Sequence, residues 1–251
     1  MSETKGLHES PHFSLVSGGL LFQLFRTTHL WSAEPRLVFR RVLVVLCLVW
    51  LPLLVLSAFA GSALGGAVSV PFLHDFDANI RFLIALPILL AAEVGVDSST
   101  SPSLQRFVTR RIVLEEDLPA FRAAMRSASR LCNSFVIDIG LIIIVYTAGH
   151  WLWLSRVALG ESTWYGSLQG THLHLTVAGY WYAFFSIPVF RFIAARWYLR
   201  LFIWFQLLWR VSRLNLELEP AHPDRAGGLN FLGTASYAFA PILVAQGAVL
   251  A

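Results

Sequence analysis

The sequence predicts an all-α fold, a polytopic transmembrane helical bundle of about five spans, with a cytoplasmic helical hairpin and a basic interfacial helix outside the hydrocarbon. Three observations carry this expectation. Hydrophobic residues make up 56% of the 251-residue chain and charged residues only 14%, against about a quarter charged in ordinary soluble domains. The apolar residues gather into long runs, and a run of about 20 residues at 1.5 Å each crosses roughly 30 Å of hydrocarbon. Arginines collect in alternate connections between those runs, the asymmetry that orients helices in a bilayer.

Residues 1–41 are mixed and polar, with the apolar patch Leu20 to Phe25 followed by Arg26, Arg36, Arg40 and Arg41. The first long run starts too late for a cleavable signal peptide, so this segment reads as a cytoplasmic piece ahead of a signal anchor. The transmembrane domain takes the rest, 42–251. Span one is 42–64, interrupted by Pro52 and closing in the small residues Gly61 to Gly66. Span two is 80–96, with Arg81 at its start, Pro87 in its middle and Glu93 near its end.

Residues 97–131 set Arg106, Arg110, Arg111, Arg122, Arg126 and Arg130 against Glu115, Glu116 and Asp117, which reads as a water-exposed helical hairpin. Ser101 before Pro102 and Asp117 before Pro119 supply a capping oxygen and a first-turn proline for each of its helices. Span three, 132–154, holds Asp138 and His150; span four, 173–195, holds Pro188 and Arg191. Within 196–214, Arg196, Arg200, Gln206, Arg210 and Arg213 fall on one arc at about 100° per residue. An amphipathic helix in the membrane surface is therefore predicted, with Arg196, Arg200, Arg210 and Arg213 on anionic lipid headgroups. A straight continuation of span four is the rival reading. A polar connection then leads to span five, 230–251, which stays apolar to the last residue, so the chain reads as the front part of something longer.

The segments before span one, between spans two and three and after span four are arginine-rich, whereas 65–79 and 155–172 contain only Arg156. Because arginine resists translocation, the N-terminus is expected to be cytoplasmic. The net charge of +4 comes from these flanking arginines and not from a basic groove, so nucleic acid is not an expected partner. Cys47 and Cys132 lie without a C-x-x-C spacing and read as small buried hydrophobes. No Walker A loop, G-x-S-x-G elbow, H-E-x-x-H or dinucleotide fingerprint is present to place an enzyme class, and no cofactor is implied.

Three groups of residues are candidates for chemistry. Asp138 lies inside a span, where a carboxylate costs several kcal/mol unless it faces protein or water. It reads either as a mark of a proton or ion path or as a group near the interface paired with Arg130. Glu93 and Arg191 sit near predicted span ends, where long side chains reach the headgroups. The second group, His74, Asp75, Asp77, His150, His172 and His174, falls in or beside the connections on the other side, and its imidazoles and carboxylates are of the types that bind Zn²⁺, Cu²⁺ or Ni²⁺. An H-x-H pair is a weak signal, and ordinary headgroup-level histidines account for these positions as well. Tryptophans including Trp151, Trp153, Trp164, Trp181, Trp197, Trp204 and Trp209 read as interface anchors. Pro52, Pro87, Pro188 and Pro241 each sit inside a span, as in the broken helices that line cavities of transporters, although proline is also ordinary in membrane helices.

The third group is the run His222-Pro223-Asp224-Arg225-Ala226-Gly227-Gly228-Leu229. Its paired glycines permit positive φ, and His222, Asp224 and Arg225 have the chemistry to hold a phosphate, an ion or another loop. A turn that caps the following helix accounts for the same residues without a ligand. This run, preceded by an arginine-rich amphipathic stretch, resembles a motif in uncharacterised bacterial multi-pass inner-membrane proteins. The resemblance covers 210–233, implies a bacterial inner-membrane location and a chain that continues further, and brings no activity with it. The expected function is movement or sensing of a small solute or ion, with a homo-oligomer as a compatible assembly. A membrane-anchored interaction or assembly protein is the alternative, and a membrane-embedded enzyme the third reading.

Overall fold

A computed structural model describes residues 14, 15, 18–20, 23, 27, 35–65, 68–157, 163–169 and 172–250. Most of the N-terminal segment, including most of the Leu20 to Phe25 patch, and Ala251 lie outside the described residues. The first span is α1 (Pro35–Val49) followed by α2 (Leu51–Phe59). The next helix is long and has three parts: α3 (Phe76–Ile80), a π turn (Arg81–Ala85) and α4 (Leu86–Thr109). Then come α5 (Leu118–Cys132) and α6 (Phe135–Val157). A short antiparallel hairpin, β1 (Gly166–Gln169) and β2 (His172–Leu175), pairs Gly166 with Leu175 and Gln169 with His172. A second long helix repeats the three-part form as α7 (Val177–Trp181), a π turn (Tyr182–Ser186) and α8 (Ile187–Val211). The last helices are α9 (Phe231–Tyr237) and α10 (Ala240–Leu250).

The fold is an all-α transmembrane bundle. Among the described residues Arg36–Phe59, Phe76–Thr109, Val177–Val211 and Phe231–Leu250 are each long and apolar enough to cross a membrane, and the bent pair Glu115–Cys132 and Phe135–Gly149 brings the number to five if it counts as one span. Every proline that the sequence places inside a span is the second residue of a helical segment: Pro52 in α2, Pro87 in α4, Pro188 in α8 and Pro241 in α10. Proline lacks the N–H that a first-turn residue leaves unused anyway, and its ring clashes with the carbonyl four residues back in a continuous α-helix. The π turns resolve that clash by widening the ladder. Leu86 donates to the Arg81 carbonyl and Ile187 to the Tyr182 carbonyl, five residues back in each case.

The chain divides into two compact units. In the unit made of Leu24–Ala91, Phe135–Tyr198 and Pro241–Ala251, Trp164 is fully buried and packs edge-on against Phe72 at 4.8 Å and Tyr182 at 5.0 Å. Its indole N–H donates to Asp75 Oδ2 at 2.8 Å, while the other oxygen of Asp75 accepts from the Ala78 N–H and caps α3. Thr176 caps α7 by accepting from Gly179 N, and its hydroxyl donates to the Trp164 carbonyl. One buried indole thus ties down the starts of both long helices.

In the unit made of Met1–Gln23, Ala92–Ser134 and Leu199–Ala240, α5 buries Phe121, Ala124, Met125, Ala128 and Cys132, a stripe at helical spacing, and leaves Arg126 and Arg130 exposed. Phe107 packs against Phe121 at 5.8 Å and Phe231 at 5.2 Å. The connections on either side are joined by a bridge between Val113 and Leu216, with Glu217 N donating to the Ile112 carbonyl.

Several sequence expectations are corrected here. The arginine-rich stretch 196–214 is no separate interfacial helix, because α8 runs unbroken from Ile187 to Val211. Its basic stripe is not all turned to water: Arg196 and Arg200 are buried and bonded to carboxylates. No new helix starts at Ser101, since α4 continues through Pro102 to Thr109, with Thr100 and Ser103 hydroxyls donating to carbonyls four residues back. Asp117 precedes α5 but does not cap it; its carboxylate accepts from Asn215 N at 2.8 Å. The second span begins at Phe76, not residue 80, and the fourth at Val177, because residues 172–175 form a strand.

Candidate functional site

Asp138 lies in the first turn of α6 and is completely buried, at 0% exposure. Its partner is Arg196 of α8, itself 2% exposed, whose Nη1 donates to Asp138 Oδ1. Arg130, the partner expected from sequence proximity, is exposed on α5. The reason is helical face: Arg130 stands on the side of α5 away from its buried stripe of Ala124, Ala128 and Cys132.

Glu93 of α4 forms a second buried ion pair. Arg200 Nη1 donates to Glu93 Oε1 at 2.8 Å, with side-chain exposures of 3% and 6%. Both side chains are enclosed by protein, where the sequence reading expects Glu93 to extend outward. A third buried guanidinium, Arg41 of α1, donates to the Leu90 carbonyl at 2.7 Å. Arg191 of α8 is half-buried and donates to the Gly149 carbonyl of α6. An unpaired charge in hydrocarbon is expensive, whereas a pair with hydrogen bonds keeps both members ionised without net charge.

The loop 222–229 is organised around one carboxylate. Asp224 Oδ1 accepts from Ala226 N at 2.9 Å and Gly228 N at 3.0 Å, and Oδ2 accepts from Asn230 N at 3.1 Å. His222 Nδ1 lies 2.9 Å from the same carboxylate. Gly227 and Gly228 have φ of 63° and 91°, and Arg225 shares the left-handed region at 53°. Partial desolvation pushes the Asp224 carboxyl up, but the three backbone donors and His222 outweigh it and hold it well below the usual carboxylate range. The backbone N–H groups that would hold a phosphate are occupied by the chain's own carboxylate. Beside the loop, a cavity of about 300 Å³ is lined by Arg110, Ile112, Glu217, Glu219, His222, Gly227 and Gly228.

The histidines and carboxylates between spans behave differently. His74 and His174 are exposed, and Asp77 is held by Arg81 through two bonds of 2.6 and 2.7 Å. The side chains of His150 and His172 lie outside those described. Among the described residues no three of His, Cys, Asp or Glu come together to hold a metal ion.

Sequence reasoning missed the partners Arg196 and Arg200, the buried Arg41, and Trp164 with Asp75. The available signal was charge balance: two intramembrane carboxylates call for two cations, and Arg196 and Arg200 stand one helical turn apart. Trp164, Trp197 and Trp204 are fully buried and not interface anchors; Trp197 donates its indole N–H to the Leu89 carbonyl at 3.0 Å. No known protein family, curated protein or solved structure matches this chain.

Proposed function

We propose that this chain is a multi-pass protein of a bacterial inner membrane, N-terminus cytoplasmic, that moves or senses a small solute or ion through Asp138. The observation that supports the reading is the Asp138 carboxylate, fully buried in α6 and bonded to the buried Arg196. Ionisable groups buried within membrane-spanning helices commonly line ion and proton paths. The arginine distribution supports the orientation, and the likeness of 210–233 to bacterial inner-membrane proteins supports the location.

The test is ion and proton flux in proteoliposomes for the intact chain, for Asp138→Asn and for the paired change Asp138→Asn with Arg196→Gln. The reading expects flux from the intact chain and its loss in both variants, each checked for a monodisperse elution profile. Flux equal in all three, or absent from the intact chain across small cations, anions and pH gradients, overturns it.

A second reading, an interaction or assembly protein, draws on the cavity beside Asp224, where Arg110, Glu217, Glu219 and His222 present both signs of charge on a braced loop outside the spans. Crosslinking of the intact chain in membranes, abolished by Glu217→Gln with Glu219→Gln, supports that reading; crosslinking indifferent to both changes counts against it.

A further inference from the structure

The two long spans are built alike. Each begins with a side-chain cap, Asp75 to Ala78 N in one and Thr176 to Gly179 N in the other. Each follows with five α residues, a five-residue π turn, and a segment whose second residue is proline. Every one of these features recurs at a single spacing, the 101 residues that separate Arg81 from Tyr182. At that spacing the sequence also matches Trp50-Leu51 with Trp151-Leu152, Gln105 with Gln206, Glu116 with Glu217, and Pro119-Ala120 with Pro220-Ala221.

Equivalent residues of the two spans touch. Arg81 and Tyr182 each open a π turn, and the Arg81 guanidinium donates to the Tyr182 hydroxyl at 2.9 Å. In a twofold arrangement a residue meets its own counterpart only at the axis. Around that contact, Phe82 packs edge-on against Tyr182 at 6.1 Å and Phe190 at 6.4 Å, and Arg81 lies over the Phe190 ring at 5.8 Å. π turns are weak points in a helix because each carries a strained, widened ladder, and they concentrate at functional positions.

We propose that the chain contains two tandem copies of one helical unit related by a pseudo-twofold axis, and that the facing π turns, latched by Arg81 and Tyr182, form a paired hinge for the N-terminal ends of the two long spans. The latch joins equivalent positions, so breaking it frees both ends together. The hinge stands on the repeat and the facing π turns and is independent of any role for Asp138.

The experiment places spin labels at Phe76→Cys and Val177→Cys, equivalent exposed positions at the two helix starts, in the full chain with Cys47→Ser, reconstituted in liposomes. The hinge expects two populations of label separation. Tyr182→Phe, which removes only the hydroxyl, is expected to shift their ratio roughly tenfold or more towards the longer one. Tyr198→Phe removes a hydroxyl from an exposed residue of α8 beyond the π turn, and is expected to leave the ratio unchanged. A single separation that Tyr182→Phe does not alter overturns the hinge, and equal shifts from both variants overturn the latch. These labels report whether or not any solute flux is found.

Discussion

The Asp138–Arg196 pair gives the sharpest quantitative expectation. With Asp138 at 0% and Arg196 at 2% exposure, Asp138→Asn leaves a guanidinium charged and enclosed. Removing one member of a buried pair costs about 3–5 kcal/mol, a fall of roughly 100- to 3000-fold in the folded-to-unfolded ratio. At about 2–4 °C per kcal/mol for a chain of this size, the melting midpoint drops by roughly 6 to 20 °C. Replacing both members, Asp138→Leu with Arg196→Met, removes charge and desolvation penalty together and is expected to lie within about 1 kcal/mol of the parent. The measurement is a thermal melt of detergent-purified protein followed by tryptophan fluorescence, with both single variants and the double change closing a cycle. If Asp138→Asn melts with the double variant and the parent, the pair does not carry the buried charges described, and the expected penalty is refuted.

Glu93→Gln is expected to destabilise in the same direction through Arg200, by about 3–5 kcal/mol, read in the same melts. Gly179→Ala drives a Cβ into the Tyr165 carbonyl oxygen and is expected to lose about 1–3 kcal/mol or more, whereas Gly95→Ala, with open space around it, loses none. Gly227→Ala combines a φ of 63° with a Cβ 3.4 Å from Leu218 Cβ, and about 1–2 kcal/mol of strain is expected as faster amide exchange across 222–232. Asp224 has a folded pKa below its unfolded value, so its stabilisation is complete above the unfolded pKa of about 4 and disappears as pH falls through that value towards the folded one. Loop exchange, corrected for intrinsic rates, is therefore flat with respect to the Asp224 contribution between pH 8 and 5; Asp224→Asn removes the carboxylate at every pH and raises it throughout.

The spans were legible because about 20 apolar residues in a row have few stable places outside a bilayer. The internal breaks were less so. Pro52, Pro87, Pro188 and Pro241 marked where segments begin, but nothing in Arg81–Ala85 or Tyr182–Ser186 announces a π turn, since its cause is the clash of the following proline with the helix already formed. Helical periodicity found the basic stripe of 196–213 correctly and misjudged what faces it, because a stripe of arginines looks the same whether it meets phosphates or the carboxylates of two other helices. The Asp224 turn was the best-marked local feature, with proline, aspartate and paired glycine in eight residues. The repeat was visible only as scattered matches such as Trp50-Leu51 with Trp151-Leu152, too sparse to stand out until helix starts and π turns fell on the same spacing.

The separation in sequence between the paired charges has a consequence for biogenesis. Asp138 is made 58 residues before Arg196, and Glu93 is made 107 residues before Arg200. At roughly 5–20 residues per second, the ribosome delivers each guanidinium on the order of 3 to 20 seconds after its acid has left the exit tunnel. A helix carrying either acid is therefore made before the arginine that pairs with it. The buried pairs are complete only once the second long helix, which carries both arginines, has been made.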